Sequence, residues 1–126
     1  MPPARRDFRP VFDELKKLME PYAGQLKAHD KPGDFQLIGP PMPRSQGRAV
    51  WFGAVKINKN YVSYHLMPVY ACPDLLDSLS PELRKRMQGK SCFNFTTVDP
   101  ALFKELKALT KKGYQRFKKE GLIVSV

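Results

Sequence analysis

The side chains able to do chemistry fall on a few short stretches. His65 shares one face of a predicted strand with Tyr61 and Ser63, opposite the face that bears Val62, Tyr64 and Leu66. An imidazole among hydroxyls suits general-base work or metal ligation. Neither strand of the surrounding hairpin carries an Asp or Glu to orient it or to complete a metal sphere. Cys92 lies on a later strand that could set its thiol beside His65, but nucleophilic use needs a base or a positive field to lower the thiol pKa. Cys72 and Cys92 otherwise read as small buried hydrophobes. His29 follows an expected helix end, where its charge suits the dipole.

Gly89-Lys90-Ser91 has the ending of a phosphate-binding P-loop. The motif requires a glycine five residues earlier, where Arg84 stands, and a strand-to-helix context, whereas this tripeptide follows a helix and opens a strand. The phosphate cradle is therefore excluded. No catalytic constellation and no metal-ligand cluster is read from the chain, and an enzyme is not the favoured class.

Charge gives the broadest functional signal. Twenty-two Lys and Arg against twelve Asp and Glu leave a net +10. Such an excess favours anionic partners, whether nucleic acid, phosphorylated metabolites or lipid headgroups, and equally keeps helical surfaces soluble. Arg84-Lys85-Arg86 and the lysines of the last helix are the nucleic-acid candidates, with Phe52, Tyr61, Tyr64, Phe93 and Phe95 as possible stacking aromatics. Two cysteines make neither a disulfide framework nor a metal site, and the N-terminus lacks an apolar signal core. The default expectation is a cytoplasmic protein with no membrane span.

At 126 residues the chain is expected to be one domain, 1–126. A globule of this size buries roughly 65% of its unfolded surface and folds without staples. Phe8, Val11, Phe12, Leu15, Leu18, Met19 and Tyr22 mark an amphipathic helix that Pro21 should stop or kink near Glu20. A second helical piece is expected to run on toward His29, followed by a turn at Lys31–Asp34 and a strand at Phe35–Ile38. The proline-rich loop Gly39–Gly47 and its neighbouring Arg44 and Arg48 form a candidate rim for an anion.

Arg48–Ile57 and Tyr61–Met67 read as a hairpin turning at Asn58-Lys59-Asn60, with Trp51, Gly53, Val55 and Ile57 alternating against Phe52, Ala54 and Lys56. Gly53 marks a bulge or a close backbone approach. Pro68 ends the second strand and a short helical turn follows at Asp74–Leu79. A helix capped by Ser80-Pro81 is expected to run out at Gly89. Lys90–Val98 is a strand, with Phe93 and Phe95 on one face and Cys92 and Asn94 on the other. Asp99-Pro100 opens a last helix whose apolar stripe is Leu102, Leu106, Leu109, Gly113 and Phe117, with Phe103 and Tyr114 at its edge.

In this order, V-x-F-x-A-V-K-I at Val50–Ile57, Y-V-S-Y-H-L at Tyr61–Leu66, S-P-E-L at Ser80–Leu83 and G-K-S-C-F-N-F at Gly89–Phe95 resemble the YdhG-like family, also known as domain of unknown function 1801. The resemblance covers about the last eighty residues. It implies an α+β domain, a curved antiparallel sheet of about four to five strands with N-terminal and C-terminal helices packed on it. It also implies an alternative function, because the family includes a frataxin-like bacterial iron chaperone. Iron prefers clustered oxygen ligands, and the helix carboxylates here are Asp13, Glu14 and Glu20, interrupted by Lys16 and Lys17.

The favoured reading is a binding or accessory module that holds an anionic small molecule or a protein partner at a sheet face, as a monomer or homodimer. Phe52, Lys56, Tyr61, Ser63 and His65 are expected to floor the site, with Arg48, Lys90 and Asn94 as its polar rim. No cofactor is expected beyond the iron of the chaperone alternative. A non-specific nucleic-acid binder is the third reading.

Overall fold

The computed structural model describes residues 8–23, 26–39, 51–77, 79–89 and 91–119. Arg44, Arg48, Lys90 and nearly all of the proline-rich loop lie outside them. The fold is α+β, with one antiparallel sheet of six strands among the described residues. This is a larger sheet than the expected four to five.

Helix α1 (Arg9–Met19) buries Val11, Phe12, Leu15 and Met19, the stripe its spacing demands. Pro21 cannot donate a helical hydrogen bond, and the chain tightens there into a 3-10 turn at Glu20–Tyr22. The continuation toward His29 is not helical. Lys27–Lys31 forms β1, a fully exposed strand at the sheet edge. Pro32-Gly33 turns the chain into β2 (Asp34–Ile38), with Gly33 at φ 71, a value only glycine takes without strain.

Strands β3 (Trp51–Ile57) and β4 (Val62–Leu66) make the expected hairpin. Tyr61 stays in the turn, where its carbonyl accepts from the Asn58 amide at 2.8 Å. Pro68 starts a short helix, α2 (Met67–Ala71), and a 3-10 turn follows at Pro73–Leu76. Helix α3 (Pro81–Arg84) is capped by Ser80, whose Oγ accepts from the Leu83 amide at 3.2 Å.

That helix ends well before Gly89. Met87–Gln88 is instead strand β5, paired with β6 (Cys92–Phe95), and Gly89 at φ 80 follows β5 on the way to β6 rather than closing a helix. Strand β6 is also shorter than the expected Lys90–Val98. Helix α4 (Pro100–Lys119) begins with Asp99 accepting from the Leu102 amide at 3.2 Å. It buries the whole expected stripe, plus Phe103, Tyr114 and Thr110.

The strand order is β1-β2-β3-β4-β6-β5. Phe35, Val55, Tyr64 and Phe93 form one row across the sheet, and Ile57, Val62 and Phe95 form another. These rows pack beneath α1 and α4, where Phe103 meets Phe95 edge-on at 4.9 Å between ring centroids. No described helix is long and apolar enough to cross a membrane.

Candidate functional site

The opposite face of the sheet carries the polar side chains. One row across it runs Lys31, Asp34, Lys56, Ser63, Asn94, and the next runs His29, Gln36, Ala54, His65, Cys92, Gln88. The register therefore unites Lys56, Ser63, His65 and Asn94 on one surface, as the alternation predicts. It also sets Cys92 directly across from His65. A shallow depression of about 180 Å³ lies toward the β1 edge of this face, lined by His29, Lys31, Asp34, Gln36 and Ile38.

Phe52 does not belong to this face. The pairing of β2 with β3 shifts between Leu37 and Ile38, so that Gly53 faces Leu37 while Trp51 faces Ile38. The extra residue is Phe52, and it turns inward. Its ring is fully buried against Tyr22, Tyr114 and Phe117 at 5.8, 5.8 and 6.2 Å. Trp51, expected on the face of Val55 and Ile57, emerges instead beside His65 at 5.4 Å between rings. Strict alternation assigns both residues wrongly because one inserted residue reverses the parity of everything before it.

The polar groups on this face differ in how fully they are engaged. Ser63 Oγ is occupied by the hairpin, accepting from Asn58 Nδ2 at 3.1 Å and donating to the Lys56 carbonyl at 3.4 Å. Asn94 Nδ2 donates to Gln88 Oε1 at 2.5 Å, and its Oδ1 accepts from Cys92 Sγ at 3.3 Å. In contrast, Trp51 Nε1 and His65 Nδ1 are buried atoms with no hydrogen-bond partner among the described residues.

Burial pushes the His65 pKa down and the Cys92 thiol up. Both shifts favour the neutral pair. A thiolate-imidazolium couple needs the reverse, a thiol driven down by a neighbouring cation. The adjacency of Cys92 and His65 is thus real, but its electrostatics oppose nucleophilic chemistry.

On α1, Lys17 binds Glu14 at 2.7 Å and Lys16 binds Asp30 at 2.8 Å. Among the described residues no three His, Cys, Asp or Glu side chains gather in a metal-holding group. Of the stacking aromatics proposed for nucleic acid, Phe52, Tyr64, Phe93 and Phe95 are core residues beneath the helices, whereas Tyr61 is half-buried in the hairpin turn.

Fold and face together define an antiparallel α+β module with helices over one side of its sheet and a polar, aromatic-bearing surface on the other. No family model matches the chain, and no curated protein or solved structure does.

Proposed function

We propose that this protein is a binding or accessory module that holds an acceptor-rich, anionic small molecule on the polar face of its sheet. The two unpartnered ring nitrogens of Trp51 and His65 carry this reading. An indole N–H can only donate. A buried donor left unpaired costs about 1–3 kcal/mol, and a carboxylate or phosphate oxygen would remove that cost. Neutral His65 adds one further donor or acceptor, and exposed Lys56 supplies a positive charge one row away. The two free cysteines, Cys72 and Cys92, fit a reducing, cytoplasmic setting. The helix carboxylates give iron delivery no comparable support, since Lys17 already engages Glu14 and Lys16 engages Asp30 of β1.

Trp51 is the only tryptophan in the chain. Its single indole N–H resonance and its fluorescence therefore report on this surface without interference. Native mass spectrometry of gently purified protein comes first, followed by titration with succinate, inorganic phosphate and a nucleoside monophosphate. A retained small molecule, or a saturable shift of the indole N–H, is the expected result. Trp51→Phe keeps the ring and deletes the donor, and is expected to weaken that binding roughly five- to tenfold, equivalent to about 1–1.4 kcal/mol. A clean apo mass together with an indole resonance that no probe moves would refute the reading.

A further inference from the structure

Helix α4 presents a second surface, unrelated to the sheet face. Its twenty residues carry seven Lys or Arg and one acid, Glu105. Glu105 forms an ion pair with none of them among the described residues; its two oxygens accept from the Ser80 amide and hydroxyl, each at 2.7 Å. Arg116 is held by Asp74 through contacts of 3.2 and 2.6 Å, and Lys118 lies over the Tyr114 ring at 5.4 Å. Lys104, Lys107, Lys111, Lys112 and Lys119 remain, all exposed and without an ion-pair partner among the described residues.

At about 100° per residue these five lysines share an arc of roughly 140°, on the opposite side of the helix from the buried stripe. Pro100, Ala101, Ala108, Gln115 and Lys118 share that arc with them, so no acidic side chain lies among them. From Lys104 to Lys119 the stripe rises about 22 Å. Like charges three and four residues apart repel by a few tenths of a kcal/mol per pair. The isolated helix gains nothing from this arrangement, and a polyanion laid along it would relieve the repulsion.

We propose that the outer face of α4 binds the phosphate backbone of duplex nucleic acid without reading its sequence. A duplex offers one negative charge per about 1.7 Å of axis, a line of charge that matches the stripe. The chemistry of the stripe narrows the occupant. The face has no aromatic side chain on which single-stranded bases could stack. It exposes no large apolar side chain to enter a lipid surface, since the apolar side of α4 is used by the core. Lysine acts as a point charge toward phosphate, and the one planar guanidinium on the helix, Arg116, is already engaged by Asp74.

The test is fluorescence anisotropy of the full chain with 20-bp duplexes of two unrelated sequences, as DNA and as RNA, from 25 to 200 mM NaCl. Both sequences should bind alike, with a slope of log K against log salt of about −4 to −5 for five neutralised phosphates. The DNA and RNA arms identify which duplex is preferred. The variant Lys104→Gln/Lys107→Gln/Lys111→Gln, which keeps good helix formers, should reduce the slope by about 2 to 3 and lower affinity more than tenfold at 100 mM salt. The control Lys17→Gln/Lys27→Gln/Lys59→Gln removes the same charge elsewhere and should change affinity less than threefold.

Equal loss in the control would assign any binding to net charge and overturn the proposal. Absence of duplex binding at 50 mM salt, or tighter binding to phosphatidylserine vesicles than to duplex, would do the same. On the unsubstituted chain, added duplex should perturb the amides of residues 104–119 and leave the Trp51 indole unmoved. The outcome is therefore independent of the sheet-face reading.

Discussion

Replacing Gly53 with alanine is expected to lower the unfolding free energy by about 2–3 kcal/mol, the range of overpacking into a closed site. A Cβ at Gly53 would lie 2.5 Å from Met19 Cε and 2.7 Å from the His65 carbonyl oxygen. The first contact is with the tip of a flexible side chain. The second is with the backbone of the neighbouring strand, and it can be relieved only by parting β3 from β4. A double variant separates the two contributions. Met19→Leu removes the terminal methyl, so Gly53→Ala/Met19→Leu should recover part of the loss and leave the backbone clash in place. Urea denaturation at unchanged m-value reads both effects. A Gly53→Ala protein as stable as the unsubstituted chain would mean that the sheet yields there freely. Displacing the His65 carbonyl also moves the residue at the centre of the proposed site, so the Trp51 fluorescence of the Gly53→Ala variant should change.

The same glycine shows how far the sequence could be read. A glycine in mid-strand announces an irregularity, and the bulge is there. Which neighbour the bulge turns inward is not written in the local pattern, because Trp51 and Phe52 are both aromatic and either could fill a core. The decision rests on Tyr22, Tyr114 and Phe117, which arrive from two other segments, the turn after α1 and helix α4. The central hairpin and the last helix were legible because burial imposes a period on them. Strand β1 was not. Its five residues are all exposed, and a charged, unpatterned edge is how sheets avoid further pairing, so the feature that protects the edge also erases its signal. Gly89 is misread as a helix end for a related reason. Positive φ serves a turn after a strand as well as a cap, and a two-residue strand such as β5 is too short to show alternation.

For the site, Lys56, Ser63, His65 and Asn94 follow from strand parity alone, whereas Trp51 needed the bulge. The division of labour between the two proposed surfaces also needed the structure. Composition supplies the excess positive charge but not its placement. Pairing with acids removes Arg116, Lys16 and Lys17 from the free pool and leaves the unpaired lysines concentrated on α4. The sheet face, in contrast, relies on neutral donors, and its ligand would be selected by hydrogen-bond geometry more than by net charge.

Thr110→Val is expected to destabilise the protein by about 1–3 kcal/mol, more than Tyr64→Phe at the other end of the same hydrogen bond. Tyr64 is fully buried, and its hydroxyl lies 2.5 Å from Thr110 Oγ1. Thr110 has one proton, and it donates that proton to the Leu106 carbonyl at 2.8 Å. Tyr64 must therefore be the donor and Thr110 the acceptor. Valine removes the acceptor and strands a buried hydroxyl, whereas phenylalanine removes the donor and leaves Thr110 bonded to Leu106. The double variant should be more stable than Thr110→Val alone, because no unpaired hydroxyl remains. Additive losses would dismiss the coupling.

The same tyrosine is expected to contribute to the loss of stability at alkaline pH. Burial pushes its pKa well above the ordinary value of 10, although the bond to Thr110 acts in the opposite direction. As pH rises past 10 the unfolded chain releases a phenolic proton that the native state retains. Proton binding is then greater in the native state, and stability falls by up to about 1.4 kcal/mol per pH unit. Tyr22 and Tyr114 are shifted in the same direction by burial, so part of the decline belongs to them. Urea midpoints measured at pH 9, 10.5 and 12 should accordingly fall less steeply in Tyr64→Phe than in the unsubstituted protein. Identical slopes would show that the Tyr64 phenol reaches solvent and ionises without unfolding.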